Sequence, residues 1–388
     1  MRRTWVALVA AILASSAALA AAAPSTGSRE FAASPGGKLT LKLATGAGVK
    51  ISGSGGASVV VDYVLSCKPE CAIDFDEAQG GIEINTRYVE RKSSQTSNVS
   101  LEIRVPSSYD VEIDSMGGEL SIQGVEGRFS GRTMGGDLDL REVRGTATLE
   151  TMGGGIELRD ARLDGSLKTM GGDILFENVE GDVRGSSMGG NIRYKNVRGA
   201  DGKLKGPSGI EGGLEVDVET VQISTMGGEI AVDDAPAGAD VMTMGGEIEV
   251  RNAKRFVRAT TMGGDIRLAS VDGWVKANTM GGDLDVTLVG AGGDVDLSSQ
   301  SGEVILRVPP GYGMRLDLEI AFTKNSRKDY RIEAPGGLTP TVTPEWDHQG
   351  QSTPHKYIRM AGAANGGGVS VKVRTVNGNI SVVEGGAR

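Results

Sequence analysis

Aromatic residues make up only 4% of this 388-residue chain. That is too few for a wide globular interior, so the core must be thin and filled by Val, Ile, Leu and Ala. Histidine and cysteine are equally scarce, two of each. Lys and Arg number 41 against 50 Asp and Glu, a net charge of −9 with the signs mixed throughout. Nucleic-acid binding needs a basic stripe, and none is present, so a nucleic-acid partner is rejected. After the N-terminus no segment reaches the roughly 18 apolar residues of a membrane span, so no transmembrane anchor is expected. No stretch carries the i, i+3, i+4 apolar spacing of an amphipathic helix, which excludes a helical repeat.

What the chain has instead is glycine, 60 residues of it, and a recurring Met-Gly-Gly-acid-Ile/Leu motif. Nine of the thirteen methionines open a copy: Met116, Met134, Met152, Met170, Met188, Met226, Met244, Met262 and Met280, with Gly155 and Asn191 in place of the acid in two of them. Neighbours stand 18 residues apart except Met188 and Met226, 38 apart, which reads as a degenerate repeat at Gly206–Ile210 plus two inserted residues. A fixed period of this kind marks a repeat architecture. Counting Met as position one, positions five and seven are apolar, as at Ile266 and Leu268, which is the alternation of a half-buried strand. Val or Ala at position ten, often followed by Gly at twelve, reads as a corner. A second strand follows, with Val275 and Ala277 inward and Lys276 and Asn278 outward.

One such period cannot bury its own apolar face, so periods must stack in register, about 4.8 Å apart. The expected fold is all-β: a right-handed parallel β-solenoid with 18-residue coils and two short strands per coil. A left-handed β-helix would need an aliphatic residue at position eleven, where charges such as Glu126 and Arg144 stand. A calcium-loaded roll would repeat its Gly-Gly element twice per turn rather than once. Right-handedness follows from the strong bias of parallel crossovers.

Arg2, Arg3, an apolar run from Trp5 to Ala14 and an Ala-rich stretch before Pro24 have the layout of a cleavable secretory signal over residues 1–23. Residues 24–110 are expected as irregular N-terminal coils and 111–305 as the regular array. Residues 306–388 are expected as C-terminal coils with a polar loop at about 321–367 and capping strands from Val369. In an exported protein Cys67 and Cys71 are expected to close a structural disulfide loop. A redox or metal pair is the alternative.

Pro35-Gly36-Gly37-Lys38-Leu39, Val105-Pro106, the Thr261 to Ile266 unit and the closing Thr375-Val376-Asn377-Gly378-Asn379-Ile380 follow one another in a characteristic order. This order resembles a bacterial adhesin family of unknown function. Its members are exported β-solenoid proteins of the envelope, related to the head domains of autotransporter adhesins. The match covers most of residues 30–388, with Met standing where that family more often has Ser, and with an unusually regular spacing. The resemblance implies fold and an exported location, periplasmic or cell-surface. It carries no catalytic residues.

Two ladders are candidate sites. The position-four acids Glu229, Glu247, Asp265 and Asp283 form either a solvated corner, their carboxylates receiving turn amides, or a linear site for a cation such as calcium or for a glycan. The methionines, notably Met226, Met244, Met262 and Met280, form either corner packing or an exposed apolar stripe for a partner. Strand parity from Thr279 points Met280 outward. Thioether capture of copper(I) is set aside because stacked methionines lie along a line. His348 and His355, with Glu345 and Asp347 nearby, are read as surface residues, and no resident metal or other cofactor is expected. The leading functional reading is a non-enzymatic, adhesin-like or scaffold binding module for an envelope protein or glycan. The alternatives are a polysaccharide lyase or hydrolase on a β-helix and an envelope-stress signalling component.

Overall fold

The computed structural model describes residues 25–78, 81–90, 95–198, 220–290, 292–326, 329–347 and 353–385. The expected leader at 1–23, the degenerate repeat at Gly206–Ile210 and His348 lie outside the described residues. Every regular element among the described residues is a strand. Position five forms one continuous line of parallel pairs: Leu120, Leu138, Ile156, Ile174, Ile192, Ile230, Ile248, Ile266 and Leu284. Their side chains are 0–4% exposed. Position eighteen forms a second line, Thr133 to Thr151 to Thr169 to Ser187 to Thr225. Residues on both lines pair with their equivalents in the next coil, so each coil completes the buried face of the next.

The coils on either side of residues 199–219 pair directly, Ile192 with Ile230 and Ser187 with Thr225. No rung of the stack intervenes there, which corrects the expectation of an extra coil between Met188 and Met226. The nine methionines therefore occupy consecutive rungs.

The first corner turns on a single residue at position nine. Glu142, Asp160, Asn178 and Asn196 adopt φ of 53°, 52°, 55° and 50°, a left-handed conformation that Asn and Asp tolerate better than other side chains. Asn178 Nδ2 donates to Asp160 Oδ1 and Asn196 Nδ2 to Asn178 Oδ1, both at 2.9 Å, so the corner carries its own side-chain ladder. In three coils the strand runs through this corner unbroken, as Ile156–Thr169, Ile248–Thr260 and Ile266–Thr279. There the coil holds one bent strand rather than two short ones.

The N-terminal end, expected as irregular coils, is ordered as one coil with strands added outside it. Gly37–Leu43 and Gly48–Ser54 make a coil that pairs in parallel with Tyr109–Ser115 and Leu120–Gln123. On its outer side Gly81–Tyr88 and Thr96–Pro106 add in parallel. Cys71–Ala78 and Ser58–Lys68 then pair antiparallel with those two strands. The C-terminal end repeats the device. Val369–Val376 and Ile380–Glu384, expected to restore the repeat and to cap it, form a further coil paired to Val295–Ser299 and Val304–Val308, but they are not the cap. The cap comes from Met314–Thr323, parallel on that coil, with His355–Ala364 antiparallel outside it. Covering an end in this way protects the sheet edge of the coil beneath from pairing with another molecule.

Between coils, ion pairs such as Arg162–Glu180 at 2.6 Å join equivalent positions, but both side chains are more than half exposed. Such pairs contribute less than about 1 kcal/mol each. Burial of the Ile, Leu and Val lines is the main source of cohesion.

Candidate functional site

The Met-Gly-Gly turn is built from the buried hydroxyl that precedes it. Thr151, Thr169, Ser187, Thr225, Thr243, Thr261 and Thr279 are 0–3% exposed, and a buried hydroxyl must be hydrogen-bonded to be tolerated. Each is bonded twice. Thr261 Oγ1 donates to the carbonyl of Gly246 in the preceding coil (3.0 Å) and accepts from the amide of Gly264 in its own turn (3.3 Å). Thr279 does the same with Gly264 and Gly282 at 2.9 and 3.1 Å. Each hydroxyl thereby fixes its own turn and ties it to the coil before.

The two glycines have different roles. A Cβ at the second, as at Gly154, Gly172, Gly246 or Gly264, would overlap the carbonyl of the equivalent glycine one coil earlier. Here glycine is required by the closeness of stacked backbones. At the first, the constraint is slight: a Cβ on Gly245 comes no nearer than 3.6 Å to the Gly227 oxygen.

With Thr inward and the turn following at once, the methionine projects to solvent. All nine are 41–60% exposed, with Met226 at 48%, Met244 at 42%, Met262 at 50% and Met280 at 49%. Corner packing is thus not their role, because their side chains stand outside the core that Ile, Leu, Val and Thr already fill. Met262 N bonds Met244 O at 3.2 Å, so neighbouring rungs are in direct contact through the backbone.

The position-four residues lie at the same edge. Asp265 Oδ1 accepts the amide of Asp283 at 2.8 Å, and Asp283 Oδ1 accepts that of Glu303 at 2.7 Å. Asp137, Asp173 and Asn191 do likewise for the next coil, at 2.7, 2.7 and 2.9 Å. The short Asx side chain is what fits this role, and Asn191 shows that charge is not needed for it. Glu229 and Glu247 stand exposed on the same line. Among the described residues no group of three or more His, Cys, Asp and Glu is arranged to hold a metal ion.

Other chemistry-bearing residues lie elsewhere. Cys67 and Cys71 are joined as a disulfide in the N-terminal cap. His355 is paired through its backbone with Asp347, at 2.8 and 3.1 Å, in the C-terminal cap. Burial pushes the Asp240 carboxyl above its ordinary range, partly offset by the Arg258 guanidinium 3.4 Å away. That pair joins adjacent coils on the second strand, four residues ahead of Met244 and Met262. An open depression of about 750 Å³ at the N-terminal end is lined by Arg29, Phe31, Ile73, Asp74, Phe75, Asp76 and Asn85. Its acids are engaged, Asp74 by Arg87 at 2.9 Å and Asp76 by Asn85 at 3.5 Å.

The stacked coils, the closed ends and the exposed turn edge define an all-β repeat protein with one regular outward ladder. The chain belongs to the Toastrack DUF4097 family, whose profile matches residues 38–333. No curated protein matches it. Solved structures similar to it include a candidate adhesin of Parabacteroides distasonis, at 13% identity over 68% of this chain and 97% of that one, with a TM-score of 0.30. A candidate adhesin of Bacteroides fragilis has 12% identity over 68% and 97%, also with a TM-score of 0.30. A candidate cell adhesion protein of Clostridium sporogenes has 10% identity over 94% and 100%, with a TM-score of 0.20.

Proposed function

We propose that the protein is an exported, non-enzymatic binding module of the cell envelope, adhesin-like or scaffolding, in which a right-handed coil presents its Met-Gly-Gly edge to a partner. The observation that carries this reading is the line of nine consecutive methionines, each 41–60% exposed. A continuous apolar stripe left in water on a rigid support is the usual mark of a protein contact surface. Methionine's flexible, polarizable side chain suits such a surface. The acids at Glu229, Glu247, Asp265 and Asp283 border the stripe as a polar rim. An envelope protein fits this chemistry better than a glycan, and export places the module in the periplasm or on the surface.

The test is site-specific photo-crosslinking in the protein's own host, with the probe at position 262 on the Met edge or at position 276 on the outward face of the second strand. The reading expects one defined protein adduct from position 262 alone, lost when Met226, Met244 and Met280 are changed to Ser. Equal adducts from both positions, or an adduct indifferent to those changes, would contradict it.

A further inference from the structure

Position one tolerates other side chains, yet the regular coils never use them. In the coils at either end of the same stack, Ala44, Gln300 and Val376 follow the residue aligned with position eighteen (Leu43, Ser299 and Thr375) and so occupy the methionine's place. Position eight, outward in the first seven of the nine coils, drifts freely there through Gln123, Arg141, Arg159, Glu177, Lys195, Asp233 and Arg251. The turn therefore does not demand methionine, and exposure alone does not preserve it. An apolar contact surface also admits Leu, Ile or Val, none of which appears at this position in the nine copies. What all nine share, and what those residues lack, is the thioether sulfur.

Geometry brings these sulfurs within reach of one another. Consecutive rungs are separated by the spacing of paired strands, about 4.8 Å, and each side chain has three rotatable bonds beyond the backbone. Two neighbouring thioethers can close on a single ion. A linear ladder is poorly suited to a three- or four-ligand shell, but a two-coordinate d10 cation needs only such a pair. Soft thioether donors select Cu(I) among the first-row metals. The exposed acids Asp137, Asp173, Glu229, Glu247 and Asp283 run beside the stripe, drawing cations toward it without competing as soft ligands.

We propose that the Met-Gly-Gly edge is a soft-metal ladder that binds Cu(I) between adjacent rungs. Nine thioethers taken two at a time hold four ions. The site shares its edge with the partner reading but does not rest on it: replacing Met by Leu keeps an apolar stripe and removes the sulfur, so the two separate experimentally.

The test uses the exported protein labelled at the methionine methyl carbons, titrated with Ag(I) as a redox-stable probe in chloride-free buffer. Cu(I) is then competed against a colorimetric chelator under anaerobic reducing conditions. The expected result is about four ions bound, following from pairing nine soft ligands, with methyl shifts at the ladder and none at Met314 or Met360, which are 0% and 3% exposed. Changing all nine ladder methionines to Leu is expected to abolish binding while leaving the thermal transition in place. Met242→Leu, at an exposed methionine off the ladder, is expected to change nothing. Absence of Ag(I) and Cu(I) binding, or unchanged binding by the Leu ladder, would overturn the proposal. The methyl shifts decide the matter independently should the ninefold variant fail to fold.

Discussion

At the scale of the residue, the Met-Gly-Gly turn divides its labour sharply, and single substitutions should expose the division. Gly246→Ala forces a Cβ into the Gly228 carbonyl, a clash with backbone that cannot rotate away. It is expected to cost about 1–3 kcal/mol in denaturant unfolding. Gly245→Ala next to it meets only ordinary contact at 3.6 Å and is expected to cost less than about 0.5 kcal/mol. Equal effects would refute the stacking account. Thr261→Val keeps the shape but strands the Gly264 amide and the Gly246 carbonyl, an expected loss of about 1–3 kcal/mol, whereas Thr261→Ser retains both bonds and most of the stability. Asp265→Asn keeps an acceptor for the Asp283 amide and is expected to be nearly neutral. Asp265→Ala removes it, at about 1 kcal/mol. Part of this was legible beforehand: strand parity sends position eighteen inward and position one outward. Packing the methionines into a corner required the turn to override that parity, and the 41–60% exposure of all nine shows that it does not. The buried hydroxyl line was equally readable, since position eighteen is Thr or Ser throughout the regular array, but nothing in composition reveals that its partners are glycine backbones of two successive turns.

At the scale of the element, strands were legible wherever alternation and period agree, and less so where a corner or an end breaks them. The position-nine corner needs a left-handed residue, and the sequence satisfies this unevenly: Asn178 and Asn196 suit φ near 50°, whereas Glu142 at 53° does not. Glu142→Asn is therefore expected to raise stability by about 0.5–1 kcal/mol, part of the left-handed penalty carried by an ordinary side chain. A decrease in the unfolding midpoint would show that Glu142 makes a contact worth more than its strain. The caps were the least legible elements. Their antiparallel pairs, such as Ser58–Lys68 on Thr96–Pro106 and Met314–Thr323 on His355–Ala364, have no period to announce them. The alternation that reveals a strand says nothing about the direction of its partner. The 38-residue spacing between Met188 and Met226 misled for a related reason: it is close to two periods, and arithmetic alone cannot tell that Ile192 pairs directly with Ile230.

At the scale of the whole molecule, the structure is a one-dimensional stack in which each coil contacts its neighbours and the two caps seal the ends. A coil should therefore be removable as a unit. Deleting residues 262–279 joins the Met244 coil to the Met280 coil with every inward position preserved. The shortened chain is expected to fold with a β-sheet circular dichroism spectrum and a cooperative, somewhat lower melting transition. Deleting only residues 262–270 shifts the period by half a coil and is expected to abolish that transition, since the apolar positions no longer align. The same linearity turns a single exposed residue per coil into a continuous edge, which is how a modest five-residue motif becomes a surface long enough to bind something. The most direct measurement of that edge is methionine oxidation footprinting of the folded protein with dilute peroxide, read residue by residue by mass spectrometry. The account predicts that the nine ladder methionines oxidise together at rates near that of exposed Met242, while Met314 and Met360, buried at 0% and 3%, stay protected until unfolding. Ladder methionines as resistant as Met314 would place them in the core and contradict the central claim.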